Sequence, residues 1–296
     1  MADNIPLTFM AVHAHPDDEV FSTGGTLARL SAEGVRTVLV TATRGEAGDI
    51  VDPTLDEATR LEVAANLGKV REGELREAVA ILGISELRFL DFRDSGMVGS
   101  EPNANPESFY QANFDDAVKR LVKYIREFRP QVVTTYNQWG GYGHPDHVQA
   151  HRVTVIAFNA AGDKRFYPDL GLEAWQPSKL YYTALPISMF RLAAERARSM
   201  GIDGPWSNPE MDFESMGDPD ATVTTRYDAR EYFDQKLKAF SAHKTQISPD
   251  SMWYKMPPEM LKEGMGYEYY HLAQGKSGVI GSENMEIEDD LFAGIR

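Results

Sequence analysis

The stretch that decides the reading is Ala14-His15-Pro16-Asp17-Asp18-Glu19, which follows the apolar run Leu7–Val12 and precedes Gly24-Gly25. Leu7–Val12 reads as a buried strand, and Thr26–Glu33 as the helix after it, stopped by Gly34. One imidazole and three acids therefore crowd the turn where a strand hands over to a helix. In open α/β sheets, ligands bind at the carboxyl ends of strands. Unpaired carboxylates in a buried turn are costly, and a bound cation is the simplest remedy. A metal site is the working expectation.

Outward from this turn, strand and helix alternate. Thr37–Thr43 reads as a second strand, rich in β-branched residues, ending in the polar loop Arg44–Asp49. A long helical stretch follows, with Val70, Leu75, Val79 and Leu82 as its apolar stripe and Gly83 as its stop. Leu87–Phe92 is a third strand that runs into Arg93-Asp94-Ser95-Gly96. Residues 97–112 form a loop long enough to serve as a lid or specificity element. Phe114–Phe128 is helical, with Ala117, Leu121, Ile125 and Phe128 on one face, and Pro130 turns the chain. Val132–Tyr136 is a fourth strand, followed by the glycine-rich loop Asn137–Gly143 and a helix from Pro145 to about Ala161. Leu180–Leu185 is a fifth strand.

This order predicts an α/β core over residues 1–185, a Rossmann-like, mainly parallel sheet with helices on both faces. After Pro186 the pattern loosens: a helix over Ile187–Ser199, loop over 201–220, a short strand over Val223–Tyr227, a helix over Tyr232–His243, and a tail from Trp253 that is aromatic and then acidic. Residues 186–296 are expected to form a smaller C-terminal cap that completes the substrate site.

A chain of 296 residues can bury roughly three-quarters of its unfolded surface without staples. It has no cysteine, hence no disulfide and no thiolate metal site, which fits a reducing compartment. Acids outnumber bases 45 to 30, for a formal charge of −15, which argues against a nucleic-acid partner. No apolar run approaches the ~20 residues of a membrane span. The N-terminus also lacks the basic start and long apolar core of a secretory signal. The cytoplasm is the expected location, and a homo-oligomer is compatible with the sequence.

A second constellation, Gly140-Gly141-Tyr142-Gly143-His144-Pro145-Asp146-His147, follows the fourth strand, at the same sheet edge as the first. Five of the seven histidines lie in or beside the two motifs. Two imidazoles and one carboxylate leave a catalytic zinc with an open position for water. Zinc lowers that water's pKa to about 7, and a neighbouring carboxylate takes its proton. A tyrosine hydroxyl or a cationic histidine stabilises the developing oxyanion. Asp17, Asp18, Tyr142, His144 and His147 offer these parts. The ligand roles stay open at this point: His147 and His151 share a helix face at i, i+4, and His13 and His15 share a face of the first strand.

These residues resemble the LmbE-like, or PIG-L, zinc deacetylase family, whose signatures are an AHPDDE run and an HPDH run, here Ala14–Glu19 and His144–His147. Within it the chain is similar to the mycothiol deacetylase and mycothiol S-conjugate amidase branch. The shared features are the GGY-x-HPDH loop, the Thr43–Gly48 loop, the Asp94-Ser95-Gly96 turn and the segment Ala242–Ile247. The closing Leu291–Ile295 resembles the amidase more than the deacetylase. The resemblance implies zinc, one ion per chain, on His15, Asp18 and His147, with iron or cobalt able to occupy the same set. It implies Asp17 as general base, His144 (held by Asp146) at the oxyanion or leaving group, Tyr142 on the scissile carbonyl, and Arg71, Asp94 and Glu46 near the sugar. The implied reaction is hydrolysis of the N-acyl amide of a small-molecule glucosaminide. The alternatives are a larger thiol-sugar amide, an unrelated amide or ester, or a sugar-binding protein without turnover.

Plainer readings exist for several of these residues. His13 is expected to be a packed or supporting histidine, His151 a helix-surface one and His271 an ordinary polar residue. His243 either lines the site or caps its helix. Asp17 has the residue type of a helix N-cap, and Arg71 has Glu74 and Glu77 on its own helix as surface partners. Gly24-Gly25 matches no phosphate-loop pattern and reads as close packing or a tight turn.

Overall fold

Strand β1 (Thr8–His13) is buried along its whole length and pairs in parallel on both sides, Met10 lying opposite Val38 of β2 (Arg36–Thr41) and Val133 of β4 (Val132–Thr135). In the computed structural model, which describes residues 5–201, 212–248, 251, 254, 256–278 and 287–296, the strand order is β3-β2-β1-β4-β5-β7-β6. Here β3 is Glu86–Phe89, β5 Lys179–Ala184, β6 Thr225–Asp228 and β7 Tyr267–Gln274. The first five strands are parallel, β7 runs antiparallel to β5, and β6 antiparallel to β7. The order reverses between β1 and β4, so the two histidine motifs leave the sheet on either side of its switch point, where such sheets open a crevice.

The helices are α1 (Asp18–Ser22), α2 (Gly24–Ala32), α3 (Glu57–Ala65), α4 (Leu67–Leu82), α5 (Phe114–Phe128), the single turn α6 (Gly140–Gly143), α7 (Pro145–Ala160), α8 (Ile187–Ser199), α9 (Phe233–Phe240) and α10 (Pro258–Met265). Alternation along β1 divides the core. Met10 and Val12 pack with Leu121 and Ile125 of α5 and Val153 of α7, while Phe9 and Ala11 pack with Leu27 of α2, Leu75 of α4 and Phe240 of α9. Period two along the strands thus meets an apolar helix face on each side.

The expected strands and the helices over α5, α7 and α8 are present, with ends shifted by a few residues. Other elements differ. Helix begins at Asp18, not Thr26, and Thr23 (φ −138°) divides α1 from α2. The start of α2 is capped from afar: Glu268 of β7 accepts from Gly25 N (2.8 Å) and Thr26 N (2.7 Å), and Lys236 of α9 balances its charge at 2.7 Å. Gly25 is needed there, because a Cβ would lie 2.6 Å from that of Ala229. The long helical stretch before Gly83 is two helices, broken at Asn66 (φ −127°).

Strand β7, from the aromatic tail, was not expected as a strand. It continues the sheet through β5, and buried Glu288 binds Lys179 (2.8 Å) and Tyr181 (2.6 Å) of β5. The 97–112 loop holds one 3-10 turn, Pro102–Ala104, and is anchored by fully buried Phe109 stacked on Phe92. Of the expected 201–220 loop, 202–211 lie outside the described residues, as do Trp253 and 279–286. Among the described residues, no helix is long and apolar enough to cross a membrane.

Candidate active site

Four loops meet at the carboxyl edge of the sheet. The loop after β1 is closed by Asp18, whose Oδ2 accepts from His15 N at 2.8 Å. Tyr136, at the end of β4, donates its hydroxyl to the same oxygen (2.7 Å), accepts from Ala14 N (2.8 Å) and stacks on His147 with centroids 4.2 Å apart. Two imidazoles and one carboxylate converge: His15 Nδ1 and His147 Nε2 are 3.3 Å apart, and Asp18 faces them with different oxygens, Oδ2 3.4 Å from His15 Nδ1 and Oδ1 3.3 Å from His147 Nε2. With metal–ligand bonds of 2.0–2.1 Å, a tetrahedral zinc site has ligand–ligand edges of about 3.3–3.4 Å. The donor set fits such an ion.

The second ring nitrogens are already committed. His15 Nε2 donates to Asp146 Oδ2 at 3.1 Å, with Asp94 Oδ1 at 3.5 Å, and His147 Nδ1 donates to Gly140 O at 3.0 Å. Such outer bonds orient a metal-binding imidazole and set which nitrogen stays free. Asp146 is fully buried; its Oδ2 also accepts from Ser95 N (2.9 Å) and its Oδ1 from the Ser95 hydroxyl. Asp94 accepts from Gly96 N (2.7 Å) and Ala47 N (3.2 Å), and Glu46 accepts from Asp94 N (3.1 Å). The triple His15, Asp94 and Asp146 also clusters closely, but these hydrogen bonds occupy its carboxylates. It therefore supports His15.

Electrostatics follow from burial and charge. Burial opposes a charged His15, but Asp94, Asp146 and Asp18 outweigh it and hold the ring well above its usual range. Burial also opposes charge on Asp18, yet His147 and His15 hold it well below the usual carboxylate range. Burial pushes His147 down to about 3, so its Nε2 lone pair is free at neutral pH. Burial raises Asp17 to about 7, the Asp18 charge adding and Arg71 opposing.

Asp17 has left-handed backbone (φ 113°), a strain of about 1–3 kcal/mol that the surroundings must hold in place. Arg71 does part of this, with Nη2 donating to Pro16 O (2.6 Å) and Asp17 Oδ2 (3.2 Å) and Nη1 to Gly45 O (2.8 Å). Gly45 and Gly48 make room for that guanidinium, since a Cβ on either would lie 2.2 or 2.5 Å from Nη1. Arg71 is thus buried under two loops rather than paired on a helix surface, and Asp17 makes no side-chain cap to α1.

Several expected partnerships differ. The Asp146 carboxylate engages His15, not His144; only the Asp146 backbone N–H bonds His144, at Nδ1 (3.1 Å). His144, the N-cap of α7, therefore keeps its neutral-state ring proton on Nε2. Burial and the His15 charge lower its pKa below the usual histidine range. A nitrogen of His144 lies within 4.8 Å of nitrogens on His15 and His147. His13 is hydrogen-bonded to Thr23 Oγ1 (2.9 Å), and His151 Nδ1 donates to Tyr136 O (3.0 Å). Neither joins the donor set among the described residues. His243 neither lines the site nor caps a helix: fully buried, it pairs with Glu19 at 2.7 Å.

At the entrance, Tyr142 is 63% exposed and its ring sits 5.0 Å from His147. Gly140 allows this, with φ 68° and no room for a Cβ, which would lie 2.7 Å from that of His147. Trp139, in the loop after β4, and Met97 and Val98, which follow the Asp94–Gly96 turn, are also exposed. The sequence reading missed Tyr136, which bonds Asp18, and Ser95, which bonds Asp146. The available signals were a tyrosine closing a strand at the metal edge and the serine inside the Asp94–Gly96 turn.

Residues 10–158 match the family described as PIG-L: GlcNAc-PI de-N-acetylase. Over 291 residues the chain is 42% identical to a 1D-myo-inositol 2-acetamido-2-deoxy-alpha-D-glucopyranoside deacetylase of Geodermatophilus obscurus, covering 97% of each chain. The chain belongs to the PIG-L family. Membership makes it an enzyme of the deacetylase type. Among solved structures it is similar to N,N'-diacetylchitobiose deacetylase from Pyrococcus horikoshii (21% identity, 94% of this chain and 87% of the other, TM-score 0.61). It is also similar to GalB, a 4-carboxy-2-hydroxymuconate hydratase from Pseudomonas putida KT2440 (16% identity, 93% of this chain and 100% of the other, TM-score 0.58). These two likenesses establish the fold alone.

Proposed function

We propose that this PIG-L enzyme removes the N-acetyl group from an N-acetylglucosaminide, with an inositol conjugate as the leading substrate class, using zinc held by His15, Asp18 and His147. The observation that carries the reading is the triangle of groups His15, His147 and Asp18, whose nearest donor atoms lie 3.3–3.4 Å apart in each pair with Asp18 offering a different oxygen to each histidine, with the strained Asp17 beside it. The substrate class follows the name of the relative that shares 42% of its residues over nearly the whole chain.

When bound, zinc supplies the Lewis acidity that brings a water's pKa to about 7. Asp17 takes a proton from the attacking water as its oxygen bonds to the acetyl carbon. The Tyr142 hydroxyl and the His144 Nε2–H donate to the carbonyl oxygen as negative charge develops there. The proton on Asp17 then passes to nitrogen, the C–N bond breaks, and acetate and the free amine leave. Arg71 holds Asp17, while Asp94 and Glu46 brace the loop that faces the sugar. Residues 186–296 complete the substrate site, and the proposed compartment is the cytoplasm.

A second reading keeps the chemistry and enlarges the substrate to a thiol-sugar amide. The exposed Trp139, Met97 and Val98 favour it, because they offer apolar surface to a bulkier group. The deciding experiment measures primary-amine release from N-acetylglucosamine, its inositol conjugate and a bulky thiol-sugar amide, with metal-stripped and zinc-reloaded protein. Zinc-dependent release supports the proposal, and the best substrate chooses between the readings. Stoichiometric zinc with no release on any substrate would instead mark a binding protein.

A further inference from the structure

Glu19 is the last residue of the first motif, yet it touches no donor of the metal triangle. Its side chain is fully buried and its two oxygens face different partners. Oε2 accepts from the backbone N–H of Asp17 at 2.9 Å, and Oε1 accepts from His243 Nε2 at 2.7 Å. We propose that Glu19 and His243 are a positioning pair that locks the Asp17 backbone, and so its carboxylate, for proton transfer. The inference rests on the deacetylase reading and adds two residues to it.

Asp17 occupies a backbone conformation that a non-glycine residue keeps only when its surroundings over-determine it. Its carbonyl accepts from Val20 N at 3.1 Å, and Arg71 holds the neighbouring Pro16 carbonyl and the Asp17 carboxylate. The remaining handle is the Asp17 N–H, which Glu19 takes. Glu19 is the acceptor that the fold places there, at 2.9 Å. It stands directly after two other acids, however, and buried charge without a partner is strongly disfavoured. His243, reached from 224 residues away, supplies the balancing charge. The segment that carries it is itself fixed, since Thr245 N and Oγ1 both bond Glu74 of α4, at 2.8 and 2.7 Å. A pair that served only to join α1 to this segment would not need its free oxygen on the amide of the proposed base.

The test separates positioning from folding. Replacing a buried ion pair by apolar residues of similar volume is often neutral or stabilising, so Glu19→Met/His243→Leu is the decisive double variant. It should still unfold cooperatively, with a melting temperature lowered only by the loss of an acceptor for the Asp17 N–H, and its bound zinc per chain should match wild type. Its KM should stay within about twofold while kcat falls about tenfold or more, as expected when a base is displaced by a fraction of an ångström. His243→Gln, which keeps a donor toward Glu19, should hold kcat within about threefold of wild type. Wild-type kcat in the double variant, loss confined to KM or zinc content, or failure of the double variant to fold would each overturn the inference. Absence of amine release by zinc-loaded wild type would instead refute the deacetylase reading and the inference with it.

Discussion

Tyr136→Phe isolates one oxygen at the centre of the site. The ring should remain stacked on His147, at 4.2 Å, because only the hydroxyl is removed. Two hydrogen bonds go with it: the 2.7 Å donation to Asp18 Oδ2 and the 2.8 Å acceptance from Ala14 N. Ala14 is fully buried, so its N–H is left without a partner, and the Asp18 carboxylate loses one of its two neutral donors. A bond to a charged group contributes about 1.5–3 kcal/mol, and an orphaned buried donor costs about 1–3 kcal/mol, so stability should fall by roughly 2.5–6 kcal/mol. Zinc affinity should drop about 10–100-fold, the usual effect of losing a group that orients a ligand. Denaturant unfolding of the metal-free protein measures the first quantity, and competition against a chelator the second. Unchanged stability together with zinc affinity within about twofold of wild type would refute the idea that Tyr136 orients Asp18.

Four further outcomes are expected. Asp17→Asn should retain zinc while kcat falls about 10²–10⁴-fold, checked by metal analysis and amine release on one sample; full turnover would remove Asp17 as base. Chelation should abolish turnover and lower the melting temperature, and zinc at about 100 times its Kd should restore about 2.7 kcal/mol. Gly140→Ala places a Cβ 2.7 Å from that of His147 at φ 68°, so it should weaken zinc binding about tenfold or more in the same competition assay. The last outcome concerns pH. Burial opposes charge on His243, but Glu19 raises its folded pKa above the usual 6.5. Its contribution to stability is therefore complete below about pH 6.5 and is lost as pH rises through the folded value. The melting-temperature advantage of wild type over His243→Gln should shrink on going from pH 6 toward pH 9, and an advantage that grew would contradict the pairing.

Local patterns carried much of the fold. The apolar run Leu7–Val12 marks β1, runs of β-branched residues mark β2 and β4, and the i, i+4 apolar stripe of Leu121, Ile125 and their neighbours marks α5. Parallel alternation then places the two histidine motifs at one sheet edge, and the sheet's order puts them on either side of its switch point. By contrast, β7 was hidden in a tyrosine-rich tail. Its alternation is weak, and it becomes a strand by pairing with β5 and β6. The division between α1 and α2 was equally hidden, because the carboxylate that caps α2 comes from Glu268, more than 240 residues away.

The same boundary runs through the site. By itself, the sequence determined which residue types gather at the sheet edge: two imidazoles and a carboxylate suited to a metal, with a second carboxylate, a tyrosine and a third histidine beside them. Residue identity and strand order suffice for that. Only the tertiary structure decided which outer partner each ring nitrogen takes, that the Asp146 carboxylate bonds His15 instead of His144, that Tyr136 bonds Asp18, and that Glu19 and His243 pair behind Asp17. Those choices depend on distances of about 3 Å, most of them between groups more than a hundred residues apart, and on the burial that strengthens their electrostatic coupling. Neither quantity exists until the chain has closed around the site.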